Sequence, residues 1–84
     1  MPSPHEVGFV SLVKINPAKN QRRFYLLEAS RDLFGQPVLI RQYGRIGRTS
    51  RVKVESFLEL DQAEQKLRKL AASKIRRGYA VNEA

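Results

Sequence analysis

D-Q-A-E-Q-K-L-R-K-L-A-A-S-K-I-R-R-G-Y, residues 61–79, decides the fold. Ala63, Leu67, Leu70, Ala71 and Ile75 recur at spacings of four, three, one and four. That pattern places them on one face of a helix with 3.6 residues per turn. Asp61 and Glu64 have capping-box spacing, with Asp in place of the usual Ser or Thr. Gly78 stands where a left-handed residue ends a helix, and Lys74, Arg76 and Arg77 put cations in the last turn, where they suit the helix dipole. The spacing predicts a helix over about 62–77. A helix with a single apolar stripe must bury it, so the rest of the chain has to supply a surface.

Upstream, the chain reads as strands. Val7–Ile15, V-G-F-V-S-L-V-K-I, is rich in β-branched and aromatic residues. Asn16-Pro17-Ala18-Lys19-Asn20 is a turn signal. Arg23–Ser30 reads as a second strand, followed by a turn at Asp32-Leu33-Phe34-Gly35, with Gly35 free to take a positive φ. Pro37–Tyr43 is a third strand, with proline at the first position, where no ladder donor is needed. Gly44–Ser50 is a loop and Arg51–Leu58 a fourth strand. Consecutive strands with short connections favour antiparallel pairing. The expected class is α+β: a twisted antiparallel sheet of four to five strands with one C-terminal amphipathic helix packed on it. A five-strand barrel with an appended helix is the alternative. The expected domain runs over 7–81, with flexible ends at 1–6 and 82–84.

The 84 residues suit one core, and a chain this short buries only about 60–65% of the surface its unfolded form exposes. A deep substrate cavity would remove core the domain needs. There is no cysteine, which excludes disulfides and thiolate metal sites and favours a reducing cytoplasm as the expected location. The N-terminus lacks a basic stretch followed by an apolar one, and no apolar run approaches the roughly 18 residues of a membrane span. A monomer that does not bind membranes is expected. Sixteen Lys and Arg against eight Asp and Glu give a net charge of +8. That excess points to an anionic partner, nucleic acid first.

The charge concentrates in R-Q-Y-G-R-I-G-R, Arg41–Arg48, where three arginines accompany two glycines and a tyrosine. Strand alternation puts Arg41, Tyr43 and Arg45 on one face, opposite Val38, Ile40 and Gln42. On the next strand Arg51, Lys53 and Glu55 share a face. If the two strands pair around Gly47, the basic rows meet, and they are expected on the solvent side with Tyr43 among them. Guanidinium groups bind phosphate bidentately, an exposed ring stacks on a base or sugar, and glycines let backbone amides approach an anion. Such a patch predicts backbone and end contacts rather than base reading. Exposed charge also guards a sheet edge against aggregation, and the glycines also serve an ordinary turn.

Other signals are weaker. Gly44-Arg-Ile-Gly47 matches the GXXG of KH domains, but that pattern belongs between two helices. The Gly-Lys-Ser/Thr ending of a P-loop is missing. His5 is the single histidine, and the carboxylates Glu28, Asp32, Glu55, Glu59, Asp61 and Glu64 are accounted for by caps, turns and ion pairs. No constellation for general acid–base or nucleophilic chemistry is present, so neither an enzyme nor a cofactor or metal is expected. Lys66, Arg68, Lys69, Arg76 and Arg77 read as the helix's solvated face.

F-Y-L-L-E (Phe24–Glu28), D-L-F-G (Asp32–Gly35), Y-G-R-I-G-R (Tyr43–Arg48) and K-I-R-R-G-Y (Lys74–Tyr79), in this order, resemble the WGR domain, named for its Trp-Gly-Arg motif. The resemblance runs from about Val7 to Val81. It implies an antiparallel sheet bearing a helix. It also implies nucleic-acid binding: in poly(ADP-ribose) polymerases the domain grips DNA backbone near strand breaks. The motif's aromatic, glycine and arginine fall on Tyr43, Gly44 and Arg45. Gly47 and Arg48 continue the loop, and Arg22 and Arg23 match a stretch that approaches the DNA backbone. Tyr43 replaces the motif tryptophan, with less stacking area and an added hydroxyl. The expected function is a non-enzymatic module that binds DNA backbone and ends through Arg22, Arg23, Arg41, Tyr43, Gly44, Arg45, Gly47, Arg48, Arg51 and Lys53. The alternatives are RNA binding and docking to an acidic protein partner.

Overall fold

A computed structural model describes residues 8–82. The strand start expected at Val7 and most of the two expected loose ends lie outside the described residues. Five strands form one antiparallel sheet: β1 (Phe9–Asn16), β2 (Gln21–Arg31), β3 (Pro37–Arg45), β4 (Ser50–Ser56) and the short β5 (Ala80–Val81). Their spatial order is β4-β3-β2-β1-β5, a meander in which only β5 returns from across the sheet. The helix α1 (Leu60–Arg76) precedes β5 and packs mainly over β2 and β3. The α+β reading holds, and the sheet stays open rather than closing into a barrel.

Each connection has a local cause. Pro17–Lys19 makes a single 3₁₀ turn, and Asn20 closes it in the left-handed region at φ 53°, its N–H donating to the Pro17 carbonyl. Asn tolerates that conformation better than most residues. Between β2 and β3, Asp32 Oδ1 accepts from the N–H groups of Phe34 and Gln36, both at 2.9 Å, and Gly35 takes φ +80°. An aspartate side chain organising the backbone ahead of it is the chemistry the D-L-F-G signal rests on. The tip leaves Leu33 and Phe34 fully in solvent.

The core is one layer between helix and sheet. Leu12, Leu27, Leu39 and Leu67 are fully buried, joined by Tyr25, Ala29, Ala63 and Ala71. Ala63, Leu67 and Ala71 are the expected stripe, and Leu70 packs beside it. Ile75 does not join: it is 46% exposed. Ala71 and Leu70 are followed at three and four residues by Lys74, which takes the last place on the buried face. The N-terminus also differs from expectation. The helix begins one residue earlier than Asp61, with Glu59 as N-cap and Gln62 Oε1 accepting from the Glu59 N–H at 3.0 Å. The box is therefore Glu59/Gln62. Asp61 lies in the first turn, where a carboxylate suits the dipole.

Candidate nucleic-acid interface

Two devices assemble the site. The first is the register of β2 and β3, which sets Tyr25 opposite Tyr43, Arg23 opposite Arg45 and Leu27 opposite Arg41. Tyr25 and Leu27 belong to the core under the helix, so Arg41, Tyr43 and Arg45 lie on that same face. The second device is the helix end. Gly78 takes φ +100°, its N–H donates to the Ile75 carbonyl at 3.0 Å, and the Tyr79 N–H donates to the Lys74 carbonyl at 3.1 Å. These are the two bonds of a Schellman motif, which brings the residue after the glycine back against the last helical turn. Tyr79 and Lys74 are thereby placed together over the far end of β2.

The result is an open cleft of about 510 Å³ lined by Arg23, Tyr25, Tyr43, Gly44, Arg45, Lys74 and Tyr79. Its floor is aromatic. Tyr43 stacks on Tyr25 at 5.0 Å between centroids with planes 9° apart, and Tyr79 meets Tyr25 edge-on at 6.3 Å. The Lys74 ammonium stands 4.5 Å above the Tyr25 ring and 5.9 Å from the Tyr79 ring. The Lys14 ammonium also stands 5.9 Å from the Tyr79 ring.

The electrostatics are one-sided. Among the described residues, no carboxylate lines the cleft. Among the described residues the one ion pair is Lys66 with Glu55, outside the cleft and two turns up the helix from Lys74. Partial burial, then the charge of Arg77, hold the Lys74 ammonium below its ordinary value of 10.5; Arg41 and Arg23 add to this and Tyr43 opposes it. Arg41 Nε is shielded from solvent and has no hydrogen-bond partner. Cations gathered without counter-charge repel one another, and an anion entering the cleft would relieve both that repulsion and the unpaired donors.

The expected site residues divide. Arg23, Tyr43, Gly44 and Arg45 line the cleft, and Arg41 lies beside it. The hairpin forms around Gly47 at φ +82°, and the basic rows do meet, Arg41 opposite Lys53 and Tyr43 opposite Arg51. They meet on the helix-bearing face, however, not on the opposite, solvent-facing side as expected. The register explains the inversion: Leu39 and Glu55 are paired, Leu39 is core, and Glu55 reaches the helix through Lys66. Arg51 and Lys53 extend past the helix edge on this face and are exposed. Gly47 and Arg48 are exposed in the turn and do not line the cleft. Arg22 does not join the others. It pairs with Ile15 and points to the other face, as alternation with Arg23 requires.

Two details refine individual roles. Arg45 spends part of its fork inside the protein, donating to the Asn20 carbonyl at 2.9 Å and to Asn20 Oδ1 at 3.0 Å. It thus locks the β1–β2 turn to the cleft rim. A Cβ at Gly44 would come within 3.2 Å of Ser50 Cα and Thr49 O, so glycine lets the β3–β4 hairpin close. Lys74, Tyr25 and Tyr79 were absent from the expected set. For Lys74 the available signal was a cation on the apolar stripe; for Tyr79 it was its place just after the helix-ending glycine.

A small α+β module with a basic, aromatic-floored cleft presents a surface suited to a polyanion. The model of the WGR domain matches residues 9–84, and the chain belongs to that family of nucleic-acid-binding modules, which are not themselves catalytic. An uncharacterized protein of Sinorhizobium fredii, y4dW, is 32% identical over 66 residues, which cover 79% of this chain and 32% of that protein. The chain thus spans about a third of the length of that curated relative. No solved structure matches the chain. Among the described residues, no helix is long and apolar enough to cross a membrane.

Proposed function

We propose that the cleft binds the sugar-phosphate backbone of DNA at or near a duplex end, without reading sequence. Arg23, Arg41 and Lys74 hold phosphate oxygens, together with the donors Arg45 does not use on Asn20. Tyr43 presents its free face to a terminal sugar or base. Arg48, Arg51 and Lys53 continue the positive track outward along the hairpin and meet the next phosphates. The observation that carries this reading is the pooling of Arg23, Arg45 and Lys74 around stacked tyrosines with no carboxylate among the lining residues. A cleft open on one side suits a terminus, whose last nucleotide offers a face that the stacked interior of a duplex hides.

The test is fluorescence anisotropy with a short 5′-phosphorylated duplex and a hairpin-capped duplex of the same sequence. Tighter binding to the open duplex, weakening steeply with salt, supports the proposal. Equal affinity for open and capped duplexes refutes end binding. Preference for single-stranded or A-form RNA refutes the DNA assignment.

A further inference from the structure

The sheet face turned away from the helix is the reverse of an ordinary solvent face. Seven cations of β1–β4 lie on the helix side: Lys14, Arg23, Arg31, Arg41, Arg45, Arg51 and Lys53. On the outer face the strands carry only two charges, Arg22 and Glu28, both on β2 and both exposed. Between and around them lie apolar side chains. Phe9 is 59%, Ile15 54%, Val52 58% and Val54 62% exposed. Phe24, Leu26 and Ile40 are half-buried among them. Antiparallel sheets with one wet face normally alternate apolar-in and polar-out, and a contiguous exposed apolar patch marks an interaction site.

We infer that this outer face pairs two copies of the chain, sheet against sheet. The argument is self-complementarity. Consider a two-fold axis lying in the interface, across the strands at the level of Tyr25. It sets Arg22 of one copy over Glu28 of the other, twice. It sets Phe24 over Leu26, and on β1 Phe9 over Ile15. On β3 it sets Ile40 over Ile46, which follows the strand end and donates its N–H to the Arg22 carbonyl. In these pairs apolar meets apolar and each charge meets its opposite, as an isologous interface requires, while Val52 and Val54 on the edge strand fall over Ser50 and the β3–β4 turn. The segregation of charge serves the same end, because it holds each copy's cations on the far side of the pair. Four strands of seven to eleven residues present roughly 550 Å² of sheet per copy, below the roughly 800 Å² of a standard interface. The pair is therefore a weak one, and it replaces the expected monomer at raised concentration. The two basic clefts face away from each other in the pair and stay open.

The experiment is sedimentation velocity on the DNA-free chain from about 5 to 500 μM, the range in which an interface of this size shows itself. A concentration-dependent rise to twice the monomer mass is expected. Leu26→Lys, at the centre of the face, is expected to abolish it. Arg22→Glu and Glu28→Arg each place like charges across the axis, and each weakens pairing by about three- to tenfold. The double exchange R22E/E28R restores the opposition and recovers pairing; because both sites are exposed, it does not depend on whether Leu26→Lys folds. A chain that stays monomeric throughout overturns the inference. So does a dimer in which the double exchange is no better than the single changes. None of these readouts uses DNA, so their failure leaves the cleft's assignment standing.

Discussion

Replacing Lys74 with methionine keeps the length and apolar stem of the side chain and removes its charge. Three cations line the cleft: Arg23, Arg45 and Lys74. If each neutralises one phosphate of duplex DNA, together they contribute about −2.7 to the slope of log K against log salt, at about −0.9 per contact, and the contacts of Arg41, Arg48, Arg51 and Lys53 steepen it further. The share of the three alone lowers affinity about 40-fold between 50 and 200 mM salt. Lys74→Met removes one contact, so the slope becomes shallower by about 0.9 and the fall over that range about 3.5-fold smaller. Anisotropy titrations at four or more salt concentrations read the slope directly. Lys69→Met is the control, because Lys69 is an exposed cation on the same helix that does not line the cleft. It removes the same net charge and is expected to leave the wild-type slope unchanged. Equal slopes for Lys74→Met and the wild-type chain refute the placement of phosphate at the cleft. Equal slope changes for both variants mean that binding follows net charge and no particular site.

The same variant has a pH signature. Folding disfavours the charged form of Lys74, so the cost is fully present below its depressed native pKa. Between that value and 10.5 the unfolded chain binds more protons than the native one, and stability rises with pH. Thermal melts from neutral to about pH 10 should show this rise in the wild-type chain relative to Lys74→Met, while DNA binding by the wild type weakens over the same window. Tyr43→Ala should reduce affinity by about 1–3 kcal/mol without changing the salt slope, since a ring contributes stacking and not counterion release. Tyr43→Trp should tighten binding several-fold; weaker binding would show that the hydroxyl, not the ring area, matters here. Gly44→Ala should lower stability by about 1–3 kcal/mol in urea unfolding, because backbone must shift to admit the Cβ. Gly47→Ala meets open space and should cost about 1–2 kcal/mol from its positive φ alone.

Most of the fold was legible because its signals are local. Asp32 and Gly35 fix one turn, Pro17 and Asn20 another, and the spacing of Ala63, Leu67 and Ala71 gives the helix and its buried face. The motif tyrosine, glycine and arginine were legible in the same way. What sequence spacing lacked was the absolute direction of a face. Alternation groups Arg41, Tyr43 and Arg45, but only their pairing opposite Leu27, Tyr25 and Arg23 shows that the group lies beneath the helix. Charge suggested solvent, and the core's extent decided otherwise: the helix covers Leu39 and Leu27 and stops short of Arg45. Lys74 and Tyr79 were hidden for a related reason. They reach the cleft across a contact far apart in sequence, set by how the helix end lies on β2. The capping box slipped because Glu59 and Gln62 have the same spacing as Asp61 and Glu64 and serve the same donors.

The most direct test is a ¹⁵N–¹H NMR titration of the chain with a short blunt 5′-phosphorylated duplex. Binding in the cleft predicts that the largest shift changes fall on Arg23, Tyr25, Tyr43, Gly44, Arg45, Lys74 and Tyr79, with smaller ones running out along Arg48, Arg51 and Lys53. The outer sheet face, Phe9, Leu26 and Val54 among it, should stay still. Changes concentrated on that outer face or on the exposed flank around Lys69, with the cleft unmoved, would contradict the assignment of the cleft as the nucleic-acid site.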